Sequence, residues 1–149
     1  MDPDWPKPLP DGIGWGQVPN ITIDQQGYIY AFHRADPPVL KFDKEGNLVD
    51  SFGGTDWVAT PHGFRVTPEG SIWGTDYNRQ TGHTITKIDT DGRILLRLGA
   101  RGFIGTGPNT FNGPTDVAQA TDGTFFVADG HWNNRIVKFD KNGRYLMEW

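Results

Sequence analysis

Residues 114–149 read PTDVAQATDGTFFVADGHWNNRIVKFDKNGRYLMEW. Four short runs rich in β-branched and aromatic residues stand in this stretch, separated by Thr-Asp-Gly, by Gly-His-Trp-Asn-Asn and by Lys-Asn-Gly. Runs of that length and composition suit strands, and a glycine in a tight joint suits the positive φ of a hairpin turn. The same arrangement occurs twice more, as VPNITIDQQGYIYAFHRADPPVLKFDKEGNLVDSFG from Val18 and as PHGFRVTPEGSIWGTDYNRQTGHTITKIDTDGRILLRLG from Pro61. Gly27, Gly70 and Gly123 correspond in the first joint, and Gly46, Gly92 and Gly143 in the last. A four-stranded unit repeated about every 43 residues, the offset between Gly27 and Gly70, is the period of a propeller blade.

The chain is therefore read as all-β, a β-propeller with three four-stranded blades at about 17–53, 61–99 and 114–149. Propellers close with about four to eight blades, so three supply about half of a six-bladed ring. Residues 1–16 form a lead-in that packs on a blade, and ARGFIGTGPNTFNG, from Ala100, is a connecting loop. The alternative to a fragment is a ring closed by two chains. Either way both end blades would expose apolar sheet faces, and the isolated chain is expected to self-associate through them.

Composition agrees and narrows the function. The 20 Gly and 11 Pro of 149 residues leave few windows in which a helix could run. Six Trp, nine Phe and four Tyr are too many for a disordered Gly/Pro-rich chain. A net charge of −4 without any basic run offers no footprint for nucleic acid or for an anionic membrane. The absence of cysteine removes thiolate metal sites and cysteine nucleophiles. The opening MDPDWPKPLP does not resemble a secretory signal, so an exported protein would need one from elsewhere.

Several residues stand out against the repeat. His62 enters an innermost strand at a slot held by Pro19 and Thr115 in the other copies, so the fold does not require a histidine there. It reads either as a metal ligand or as a polar rim residue. Arg34 occupies the slot of Tyr77 and Gly130, and its guanidinium could grip a carboxylate at two points or pair with a surface Asp. His33, Asp76 and Asp129 share a slot that suggests loop hydrogen bonding. His83 reads as an exposed loop residue. Asn133, Asn134 and Arg135 read as a loop that fixes itself through its side chains. Ile72, Trp73, Ile88, Phe125, Phe126, Ile136 and Phe139 are assigned to sheet-to-sheet cores, and Asp116 to a structural place near the channel. No phosphate loop, Ser-His-Asp order or paired-carboxylate spacing stands out.

ADGHWNNRIVKFDKNGRYLMEW, from Ala128, resembles the NHL repeat. More narrowly, FHR (Phe32–Arg34), PHG (Pro61–Gly63), PTDVA, ADG and NNRIVKFD together resemble the first half of the peptidyl-α-hydroxyglycine α-amidating lyases. The resemblance implies a six-bladed propeller with a channel zinc held by three histidines, of which this chain matches His62. It implies a calcium bound by backbone carbonyls at Ile21 and Phe64, and substrate anchoring by Arg34. The family's catalytic tyrosine corresponds to His131, a departure that leaves the acid/base group in question, with Tyr77 a nearby phenol. The expected substrate is a peptide or N-acyl compound ending in α-hydroxyglycine, cleaved at N–Cα to an amide and glyoxylate. Such work on peptide ends suits an exported protein. The alternative is a non-catalytic NHL propeller that presents its loops to a peptide or protein.

Overall fold

Turn chemistry sets the strand boundaries. The computed structural model describes residues 4–149, and in it Gly27, Gly46, Gly70, Gly92, Gly123 and Gly143 all take positive φ, between 79° and 87°. The Asp side chains that open several of these turns accept backbone N–H bonds from the residues that follow, as Asp24 does from Gln26 and Tyr28 and Asp140 from Asn142 and Arg144. These bonds fix the hairpin turns by local contacts alone.

The first sheet holds β1 (Asn20–Ile23), β2 (Ile29–Phe32), β3 (Val39–Phe42) and β4 (Leu48–Phe52). The second holds β5 (Pro61–Val66), β6 (Ile72–Asp76), β7 (Thr84–Ile88) and β8 (Ile94–Leu98), and the third β9 (Pro114–Gln119), β10 (Phe125–Asp129), β11 (Arg135–Phe139) and β12 (Tyr145–Glu148). Each is an antiparallel meander with its strands in chain order. The described residues contain no helix. Between sheets, β1 approaches β5 and β5 approaches β9, so the first strands form the inner side of an arc.

Strand alternation gives each sheet two apolar faces, and the cores lie between sheets. Tyr30, Phe32 and Val39 pack against Phe64, Ile72 and Ile88. Trp73, Ile85 and Leu98 pack against Val117, Phe125, Val127, Val137 and Phe139. The connections also enter the cores, through Trp57 and Val58 in the first and Phe111 in the second.

The two ends of the arc differ. Leu9 and Ile13 pack on the far face of the first sheet, where Ala31, Leu40 and Phe42 are buried, and Trp15 stacks on Phe42 with ring centroids 5.8 Å apart. The lead-in thus covers much of one face that was expected to be bare, although Ile21 and Ile23 stay exposed. Among the described residues the third sheet's far face has no such cover. Ile136, Met147 and Trp149 are exposed on it and Phe126 is half-buried, so Phe126 and Ile136 are not core residues in this chain.

His33, Asp76 and Asp129, at corresponding positions, each hold the segment that leads into their own sheet. Asp76 accepts from the Ala59 and Thr60 N–H groups, and Asp129 from that of Asn112. His33 does the same with Nδ1, which accepts from Gly16 N–H at 3.1 Å, while its Nε2–H donates to the Pro37 carbonyl at 2.8 Å. That pattern requires the neutral ring, and burial lowers the His33 pKa from its ordinary 6.5 despite the favourable Pro37 bond. Because the unfolded chain then takes up the proton first, stability is lost as pH falls through about 6.5. The denaturant midpoint should therefore be lower at pH 5 than at pH 7.5, and His33→Gln should flatten the difference. Equal midpoints in the unsubstituted protein would contradict this.

Candidate functional site at one rim of the arc

The second strand of each sheet ends at a common rim, just before Arg34, Tyr77 and His131, and β5 starts there, with Pro61 paired to Asp76. The rim gathers residues from all three sheets. His62 and His131 meet edge to face with centroids 4.7 Å apart, Tyr77 stacks on His131 at 4.6 Å, and His62 lies edge-on to Tyr77 at 5.4 Å. Arg34 places its guanidinium over the Tyr77 ring, 4.9 Å from the centroid. Four side chains separated by up to about a hundred positions in sequence thus form one cluster.

Each is held in a defined orientation. His62 Nδ1–H donates to the Thr115 carbonyl at 2.9 Å, which leaves Nε2 with its lone pair. That is the arrangement by which proteins orient a metal-ligating imidazole. Arg34 donates through Nε to the Pro61 carbonyl and through one terminal nitrogen to Gln17 Oε1, at 3.3 and 2.7 Å. Two of its five N–H donors are used, and among the described residues no carboxylate pairs with it. His131 is exposed but its pKa is lowered, first by partial desolvation and then by the neighbouring His62 and Arg34.

The donor set fits part of a metal site. Among the described residues no group of three His, Cys, Asp or Glu side chains could hold an ion. Ile21 and Phe64 lie on β1 and β5, which adjoin on the inner side of the arc. Asp116 pairs with Arg65 at 2.6 Å, joining the second and third sheets. Asn133 and Arg135 fix their loop through Asp129, while Asn134 stays exposed.

His83 corrects an expectation. It is fully buried at φ 64°, with Nδ1 accepting from Gly113 N–H at 3.1 Å and Nε2–H donating to the Arg79 carbonyl at 3.2 Å. It ties the second sheet's long loop to the entrance of the third sheet, a contact between segments far apart in sequence. Trp132 and Arg79 also border the site unannounced, the indole 5.4 Å from His131 and the guanidinium 4.8 Å from the Trp132 centroid. An aromatic in a Gly/Asn-rich loop was the available signal.

The glycine of the PHG triplet is required by close approach. A Cβ on Gly63 would be driven into the Thr115 carbonyl oxygen and would stand 2.6 Å from Asp116 Cα, both backbone atoms. Gly63→Ala should push β5 away from β9, lengthen the His62–Thr115 bond and cost roughly 1–3 kcal/mol, the usual scale of overpacking. An unfolding midpoint unchanged from the parent protein would rule this out.

Comparison with known proteins agrees with this architecture. The NHL repeat pattern matches residues 111–139. The "Probable peptidyl-alpha-hydroxyglycine alpha-amidating lyase" of Caenorhabditis elegans is 31% identical over 157 aligned positions, covering 89% of this chain and 44% of that protein. NHL repeat-containing protein 3 of Mus musculus is 32% identical, covering 100% of the chain and 44% of that protein. Among solved structures, a streptogramin B lyase aligns with a TM-score of 0.67 at 18% identity, covering 93% of this chain and 42% of that one. A virginiamycin B lyase from Staphylococcus aureus aligns with a TM-score of 0.63 at 22% identity, covering 95% and 43%. The chain spans less than half the length of the curated relatives it matches.

Three meanders sharing an inner rim, with the NHL pattern in the third, define an NHL-type β-propeller protein. Within that class the chain resembles the peptidyl-α-hydroxyglycine α-amidating lyases over most of its length, at about 30% identity.

Proposed function

We propose that this propeller is a zinc-dependent lyase that cleaves the N–Cα bond of a C-terminal α-hydroxyglycine, releasing an amide and glyoxylate. The observation that carries the reading is the convergence of Arg34, His62, Tyr77 and His131 from three sheets onto one rim. Arg34 still has donors for a substrate carboxylate, which a guanidinium binds at two points. His62 offers Nε2 as one zinc ligand, and a propeller completing the site must supply two more from other blades. The bound metal would supply Lewis acidity toward the substrate oxygens. Calcium, through the Ile21 and Phe64 carbonyls among its oxygen ligands, would brace the inner strands.

The reaction needs no oxidant. The α-hydroxyl loses its proton, its oxygen forms the carbonyl of glyoxylate as the Cα–N bond breaks, and the departing amide nitrogen takes up a proton. His131 is placed to carry that proton, since an imidazole accepts and returns protons near neutral pH. The Tyr77 phenol beside it is the other candidate carrier.

Glyoxylate release from N-benzoyl-α-hydroxyglycine by the zinc-loaded intact protein tests the reading. No release above the zinc-only background would overturn it, in favour of a non-catalytic propeller, to which the 32% identity with NHL repeat-containing protein 3 would then point. Arg34→Ala should raise KM by about tenfold or more, on the scale of a lost charge-assisted hydrogen bond, and leave zinc content unchanged. A lost metal would show that Arg34 shapes the site and does not bind substrate.

A further inference from the structure

A groove of about 330 Å³ opens beside the rim cluster, lined by Arg79, His83, Ile104, Asn112 and Trp132. Its two large apolar residues are accessible, Ile104 at 54% and Trp132 at 38% of full exposure. The groove continues the cluster in short steps, since His62 contacts His131 at 4.7 Å and His131 contacts Trp132 at 5.4 Å between ring centroids. An extended residue advances about 3.3 Å, so a substrate held at Arg34 and His62 reaches Trp132 within a few residues or one acyl group.

The groove is pre-shaped. His83 forms its floor with both ring nitrogens bonded, one to Gly113 and one to Arg79. Gly113 has φ 76°, and a Cβ there would lie 2.5 Å from the Trp132 ring and 2.6 Å from His131 Cβ, so the indole rests directly on the Gly113 backbone beside the root of the His131 side chain. None of the five lining residues is acidic, and the rim carries Arg34 and Arg79 in a chain whose net charge is −4. A locally cationic rim beside an apolar recess complements a ligand with a carboxylate at one end and an apolar group a short distance away.

We propose that this groove is the subsite for the apolar group on the acyl side of the scissile amide, either the penultimate side chain of a peptide or the tail of an N-acyl compound, packed between Trp132 and Ile104. The assignment of the carboxylate end rests on the lyase reading above, and the test is chosen to be independent of catalysis. N-acylglycines carry no α-hydroxyl and cannot be cleaved, so their binding reads the groove alone. In calorimetry with the intact protein, N-benzoylglycine should bind about tenfold more tightly than N-acetylglycine, the scale of one good aromatic contact.

Trp132→Ala should remove that preference while leaving N-acetylglycine binding unchanged. Ile104→Ser, which adds no charge and changes a side chain that is 54% exposed, should do the same. Peptides ending in Phe-Gly and Ser-Gly, run beside the acylglycines, distinguish a peptide source from a small N-acyl source by which pair shows the larger gap. Equal affinity for the benzoyl and acetyl ligands, or a preference that survives both substitutions, overturns the proposal. Failure to release glyoxylate with this preference intact would sink the lyase reading and leave the groove standing as an apolar subsite for acylglycine ligands.

Discussion

Arg135→Ala should destabilise the third sheet by about 3–5 kcal/mol, the range for breaking a buried ion pair from one side. Arg135 is 9% exposed at its side chain and Asp129 is fully buried, with Nε 3.0 Å from Oδ2. The terminal nitrogens of Arg135 donate to the Thr106, Gly107 and Thr110 carbonyls and to Glu148, which knits the 100–113 connection to the edge strand. Removing the guanidinium leaves the Asp129 carboxylate with the Asn112 N–H and the Asn133 amide but no countercharge. It also takes the side-chain donor from the Thr106 and Thr110 carbonyls, while Gly107 keeps its bonds from Thr110. Arg135→Lys keeps the charge without the planar fork and should fall between the two. Denaturant unfolding measures both variants, and a loss of less than about 1 kcal/mol for Arg135→Ala, the worth of an exposed pair, would show the network to be dispensable.

Arg135 also shows what could be read without coordinates. Its loop, the hairpin glycines and the three meanders are specified by neighbours within a few residues, and local chemistry is written directly in sequence. Arg34 and His62 stand out in the sequence because each departs from its counterparts in the other repeats, and His131 because it takes the place of the resembled family's tyrosine. Their mutual distances were not legible, because they depend on how adjacent sheets lean together.

The unread features share a cause. Phe111, Trp57 and Val58 enter the cores from connections rich in glycine, where no periodicity marks an inward side chain. His83 gave no sign that its ring would bridge to Gly113, thirty residues on. The lead-in carried its apolar residues singly among prolines, so its hold on Phe42 emerged only when Trp15 and Ile13 were placed beside the first sheet. Contacts between repeats are fixed by the curvature of the arc, which no single repeat encodes.

Curvature also governs the last and largest expected effect, that of His62→Ala on metal binding. The Thr115 carbonyl, from the neighbouring sheet, holds His62 Nδ1–H and so fixes which nitrogen is left for a metal. Substituting an orienting partner of this kind typically costs about 10–100-fold in metal affinity, and deleting the ligand itself should cost more. Three zinc variants therefore rank in a definite order. Arg34→Ala should keep its zinc, Gly63→Ala should weaken it by disturbing the Thr115 contact, and His62→Ala should lose it, with glyoxylate release falling in step. The 149-residue chain by itself should bind zinc poorly, since a lone imidazole lacks the converging ligands from which such sites draw their affinity. Metal analysis after dialysis reads all of these together. Full zinc and full activity in His62→Ala would make the histidine a rim residue, and the metal would then have to be sought at ligands the His62–Thr115 pair does not orient.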